Sequence, residues 1–150
     1  MAIAMSSFDA LTPGETFTTP ALRIDADDAA ALIRIGGYTH PLFTDPAYAA
    51  ASTFGRSPLP GEAVLHAMGG MVEQSGRFDD TVVALLGFDM VQFTAAAFPG
   101  DLLHVLVEVL GKDIRPGGRR GEVTMAWRCR NERSEPLVDA TARMLFRVGD

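Results

Sequence analysis

Apolar positions in this chain follow one period up to Ser75 and another after it. From Asp25 onward they recur at three- and four-residue steps, and from Thr81 they alternate. The first spacing is that of an amphipathic helix, the second that of a strand with one buried face. The strongest helical signal is Gly61 to Ser75, where Val64, Leu65, Met68, Met71 and Val72 form one apolar face. A shorter helix is predicted through Ala26, Ala29, Leu32 and Ile33. Asp25 is its N-cap, Asp27 and Asp28 suit the positive end of its dipole, and Gly36-Gly37 ends it. Asp45-Pro46 starts another helix, with a short body from Ala47 to Ser52.

In the second half, Thr81 to Ala96 is apolar and long for one strand, so a bend or bulge is expected at Gly87. Leu102 to Leu110 places Leu103, Val105, Val107 and Val109 on one face. Glu122 to Arg130 alternates Val123, Met125, Trp127 and Cys129 inward with Thr124, Arg128 and Arg130 outward. Leu137 to Val148 puts Ala140, Ala142, Met144 and Phe146 on one face. Turns fall at Pro99-Gly100-Asp101, Arg115 to Gly118 and Asn131 to Glu135. Before the helices, Glu15 to Ile24 reads as a strand broken at Pro20, and residues 1–12 as a lead-in segment. Together these elements predict a single α+β domain over residues 1–150, an antiparallel sheet wrapped around one long helix. Gly69-Gly70 inside that helix cost about 1 kcal/mol each relative to Ala, tolerable where a sheet packs close.

Composition narrows the function. A length of 150 residues with 47% hydrophobic and 21% charged positions is that of an ordinary globular domain. A net charge of −6 provides no basic footprint for nucleic acid or an anionic membrane. Cys129 is the sole cysteine, so neither an intrachain disulfide nor a cysteine metal cluster is expected, and no metal or cofactor is implied. No apolar run is long enough for a bilayer, Met1 to Ser7 lacks the basic start of a signal peptide, and a cytoplasmic location is expected.

The chemistry concentrates between Gly37 and Glu62, a loop rich in Pro and Gly that leads into a helix N-terminus. Gly-Tyr-Thr-His-Pro-Leu-Phe-Thr-Asp-Pro-Ala-Tyr-Ala, from Gly37, resembles the Gly-Asp-x-Asn-Pro-Leu-His-x-Asp-x-x-Tyr-Ala loop of MaoC-like (R)-specific enoyl-CoA hydratases and dehydratases. Phe54-Gly-Arg-Ser-Pro-Leu-Pro-Gly61 resembles their Phe-Gly-x-Pro-Ile-Ala-His-Gly lead into the central helix. Phe93 to Asp101 resembles their aromatic, apolar, Pro-Gly-Asp signature. The resemblance runs from about Thr12 to Val148 and implies a hot-dog fold, a thioester substrate of coenzyme A or a carrier protein, and a homodimer or higher homo-oligomer. Exposed sheet edges give an independent reason to expect self-association.

The side chains depart from that family at the reacting positions. Tyr38 stands where the hydratases carry their catalytic Asp, and Phe43 where they carry their catalytic His. His40 replaces the Asn, and Pro60 the His before the helix glycine. Gly61 matches the glycine whose amide holds the thioester carbonyl. The catalytic candidates are therefore Tyr38 and His40, as replacement acid and base, and Glu62, which follows Gly61 directly. Phe43, Pro60 and Gly61 are the candidate substrate-binding residues. Each has a plainer role beside it. Tyr38 can stack or fill core, His40 can satisfy loop backbone, Phe43 can pack on the helix, and Glu62 can complement the helix dipole. Asp45 reads as the cap of its helix, and Glu73 as solvated. Arg56, Arg77, Arg119 and Arg120 are candidates for coenzyme A phosphates or plain surface charges. Three functions fit: hydration or dehydration of an acyl thioester, thioester hydrolysis through Glu62, and acyl binding without catalysis.

Overall fold

A computed structural model of the chain describes residues 6–149. Along the chain come β1 (Thr16–Thr18), β2 (Leu22–Arg23), α1 (Ala26–Gly36), α2 (Pro41–Thr44), α3 (Pro46–Ala51), α4 (Gly61–Gln74), β3 (Val82–Phe93), β4 (Leu102–Ile114), β5 (Arg120–Arg130) and β6 (Pro136–Arg147). Among the described residues the strands form one antiparallel six-stranded sheet, in the order β1-β4-β5-β6-β3 with β2 also on β4. It wraps α4, which is the hot-dog arrangement.

Alternation decides which face meets the helix. Leu103, Val105, Val107 and Val109 of β4, Val123, Met125, Trp127 and Cys129 of β5, and Ala140, Ala142, Met144 and Phe146 of β6 are buried. They meet Val64, Ala67, Met68, Met71 and Val72 of α4 in one core. Burying side chains of this size stabilises by about 1.5–3 kcal/mol each, which is why the period-two and period-3.6 faces find each other. Burial also pushes the Cys129 thiol up to about 12, so it stays protonated and inert.

The lead-in is part of this core from Ser6 onward. Phe8 and Leu11 are buried, and Phe8 lies so close over Gly121 that a Cβ there would clash with its ring. Met1 to Met5 fall outside the described residues. The expected first strand is split in two around Pro20, as β1 and β2. The bulge expected at Gly87 is present between Leu85 and Gly87, with two more shifts at Val82/Ala84 and Phe88/Met90. These let a twelve-residue strand follow the curve of β6.

The condition that would make Gly69-Gly70 tolerable is not met among the described residues: a Cβ added at either glycine meets nothing within 4 Å. Among the described residues no helix is long and apolar enough to cross a membrane.

Candidate active site at the start of the long helix

Pro60 sets the geometry of the site. It occupies the N-cap of α4 and offers no side-chain hydrogen bond, while its carbonyl takes the amides of Ala63 and Val64. The amides of Gly61 and Glu62 are left donating to no protein acceptor among the described residues. Two open donors at a helix start suit an oxygen that gains negative charge. The loop before them is pinned by the Leu59 amide on the Ala97 carbonyl at 2.8 Å.

Gly61 is glycine because Phe93 lies against it. A Cβ there would meet the Phe93 ring at 2.7 Å. Phe93 was not singled out as a site residue, although it is the aromatic that heads the Pro-Gly-Asp motif. Its ring, with Phe43 and Phe54, walls a cavity of about 370 Å³ that opens on Gly61. Phe43 thus lines a cavity beside the helix start.

Tyr38 is aimed by the glycines before it. Gly37 ends α1 with φ 70°, and a Cβ at Gly36 would meet the Tyr38 ring at 2.5 Å, so the ring folds back over the helix end. Its hydroxyl donates to Glu62 Oε2 at 3.1 Å. Desolvation, then the hydrogen bond to Glu62 and its charge, raise the Tyr38 pKa, keeping the phenol protonated as a donor. Glu62 itself is exposed, on the first turn of α4.

His40 is held by the backbone that follows it. It is the N-cap of α2, a helical turn where a plain loop was expected, and its Nδ1 accepts the Leu42 amide at 3.1 Å. A neutral ring so engaged carries its proton on Nε2. It stands edge-on to Phe43 and Tyr48, with centroids at 6.4 and 5.8 Å, and Tyr38 stands edge-on to Phe43 at 5.3 Å. Tyr38 and Glu62 therefore meet in a direct hydrogen bond, and His40 braces the loop that carries Phe43. Asp45 caps α3, with Oδ1 accepting the amides of Ala47 and Tyr48.

The arginines separate clearly. Arg77 is paired with Glu15 at 2.5 Å and lies over Phe17. Arg119 and Arg120 lie by the β4–β5 turn, at the strand ends remote from Phe93, which pairs with Val138. Arg56 lies over the Phe98 ring at 4.1 Å, next to Ala97 of the cavity wall. Among the described residues no group of three His, Cys, Asp or Glu could hold a metal ion.

The structure superposes on the monoamine oxidase regulatory protein of Archaeoglobus fulgidus with a TM-score of 0.89 and 27% identity, covering 100% of this chain and 99% of that one. On the (R)-hydratase of A. caviae involved in PHA biosynthesis the TM-score is 0.71 at 23% identity, over 93% and 98% of the two chains. A double hot-dog protein of Mycobacterium tuberculosis aligns at a TM-score of 0.81 and 22% identity, over 99% of this chain and 46% of that one. No curated protein matches the sequence significantly. Residues 8–127 match the MaoC like domain family, most of the chain and the whole of the site just described, so the protein belongs to that family.

Proposed function

We propose that this protein is an acyl-thioester hydratase or dehydratase in which Glu62 and Tyr38 replace the usual acid–base pair. The supporting observation is the 3.1 Å hydrogen bond from the Tyr38 hydroxyl to Glu62, beside the open amides of Gly61 and Glu62. A 2-enoyl thioester, of coenzyme A or a carrier protein, places its carbonyl oxygen on those amides. The Glu62 carboxylate takes a proton from water as the water oxygen bonds to C3. Charge moves to the thioester oxygen, where the amides stabilise it. Tyr38 delivers its proton to C2, and the proton on Glu62 returns to Tyr38 through their hydrogen bond. The pair ends as it began, with the water's atoms on C3 and C2, and the reverse sequence is dehydration. His40 holds the loop rather than serving as base. No metal or cofactor enters this scheme.

The protein acts as a homodimer in this reading. β3 lies at one end of the sheet order, and its Val83, Leu85, Leu86, Met90 and Phe93 side chains are exposed. An apolar strand edge of this kind is normally covered. The double hot-dog neighbour, of whose length this chain spans 46%, offers the analogous paired arrangement.

The test follows the enoyl absorbance of a 2-enoyl-CoA and free thiol together. The expected result is loss of absorbance without thiol, slowed by about 100-fold or more in Glu62→Gln. Thiol release would instead assign hydrolysis through Glu62. Neither signal, with thermal stabilisation by acyl-CoA, would assign a binding subunit.

A further inference from the structure

The long helix carries one more titratable side chain on the face that holds Glu62. His66 follows Glu62 by four positions, so their Cβ atoms lie about 5–6 Å apart on one face of α4. Both line a cavity of about 330 Å³, to which Leu85, Phe88 and Trp127 also contribute. Glu62 engages Oε2 with the Tyr38 hydroxyl, and among the described residues no donor reaches its Oε1. His66 is exposed, and among the described residues its imidazole makes neither a hydrogen bond nor an ion pair. The helix thus presents two acceptors, one turn apart, into one space.

Two such acceptors hold one water between them. A carboxylate oxygen takes one of its hydrogens and a neutral imidazole nitrogen the other, each at about 2.8 Å, a span that side chains at this spacing reach. On the reading that Glu62 acts on a 2-enoyl thioester, we propose that His66 is a further catalytic residue, whose neutral ring holds the reacting water beside Glu62. With both hydrogens accepted, the oxygen lone pairs turn toward C3. Glu62 takes the hydrogen it holds as the bond from oxygen to C3 forms. The hydrogen on His66 stays with the oxygen and becomes that of the product hydroxyl. Tyr38 and the amides keep the parts already given to them.

Protonation of His66 undoes this arrangement. An imidazolium only donates, so it turns to the water's oxygen and occupies a lone pair needed at C3. The site is therefore active with His66 neutral, and hydration fades as pH falls through the range where histidine takes up a proton. Few charged groups surround the ring. Glu62 shares its face of α4, with Tyr38 behind it. Asp28 of α1 and Arg23 of β2 line a second cavity of about 370 Å³, which His66 also borders. β3 and β5 bring only the uncharged Leu85, Phe88 and Trp127. The second cavity contains no β3 residue, so His66 exchanges protons with solvent on that side when a second copy covers β3.

The test measures hydration of a 2-enoyl-CoA from about pH 5 to 8 by the unchanged protein, Glu62→Gln, His66→Leu and His66→Gln. His66 is exposed, so both histidine variants should keep the Tm of the unchanged protein. Loss of one hydrogen bond to the water should lower kcat in His66→Leu by about tenfold, with KM within about twofold. Glutamine offers an acceptor oxygen that does not titrate. His66→Gln should keep kcat within about threefold at the upper pH and lose the acid limb of the unchanged protein. Unchanged kcat in His66→Leu, a raised KM alone, or an acid limb that persists in His66→Gln overturns the inference. If any of these occurs while Glu62→Gln is inactive, the hydratase reading stands without His66. If the unchanged protein consumes no enoyl-CoA, that reading falls and the role of His66 falls with it.

Discussion

The two sides of α4 obey different rules. Its inner side is Val64, Met68, Met71 and Val72 with small alanines between, all buried against the sheet. Its open side is Glu62, His66, Gly69 and Glu73, which line cavities rather than core. On the inner side every residue is accounted for by the volume it fills. On the open side no residue is, and two glycines stand where helix propensity alone would put Ala. A side that the chain's own packing does not explain is the side shaped for something else.

That contrast can be broken by substitution. Met68 is fully buried, so Met68→Ala should lower stability by about 2–5 kcal/mol, read from the shift of the urea midpoint. A loss below about 1 kcal/mol would mean that the inner side tolerates voids and that the contrast is false. The opposite sign is expected on the open side. Gly70→Ala adds a Cβ that meets nothing, and should stabilise by up to about 1 kcal/mol, seen as a higher Tm.

A third surface, the outside of the sheet, sharpens the comparison with the smallest effect. Arg115 and Arg143 hydrogen-bond the Glu122 carboxylate at 2.6 and 3.0 Å and hold its pKa below the ordinary value. A carboxyl lowered in the folded state stabilises fully above its unfolded pKa, and the contribution fades as pH falls through the folded value. Glu122→Gln should therefore cost no more than about 1 kcal/mol at neutral pH. The difference from the unchanged protein should vanish in acid, a comparison made with urea midpoints at both pH values.

Much of the fold was legible in the sequence. The alternating faces of β4, β5 and β6 and the inner side of α4 were read correctly, because burial imposes a period that any single segment displays. The Asp25 and Asp45 caps were legible for the same local reason. Residues whose partners lie far along the chain were not. Phe8 and Leu11 looked like a lead-in, since nothing near them reveals Gly121. α2 was missed because its cap is a His, outside the usual Ser, Thr, Asp and Asn set.

The site divides along the same line. The region from Gly37 to Glu62, the uncapped helix start and the presence of Tyr38, His40 and Phe43 in that loop could all be named from sequence. Which side chains pair could not. Tyr38 and His40 are close in sequence and were expected to work together, yet the hydroxyl of Tyr38 meets Glu62, 24 positions away. His40 turns its Nδ1 to the Leu42 amide instead.

Periodicity, caps and turns are local, so the sequence by itself determined most of the elements, their buried faces and the stretch that holds the candidate site. Pairing depends on how the folded chain brings distant segments together. Only the tertiary structure set Tyr38 on Glu62, laid Phe93 on Gly61, and left an open groove beside Gly69, because each depends on contacts between segments with no shared local pattern.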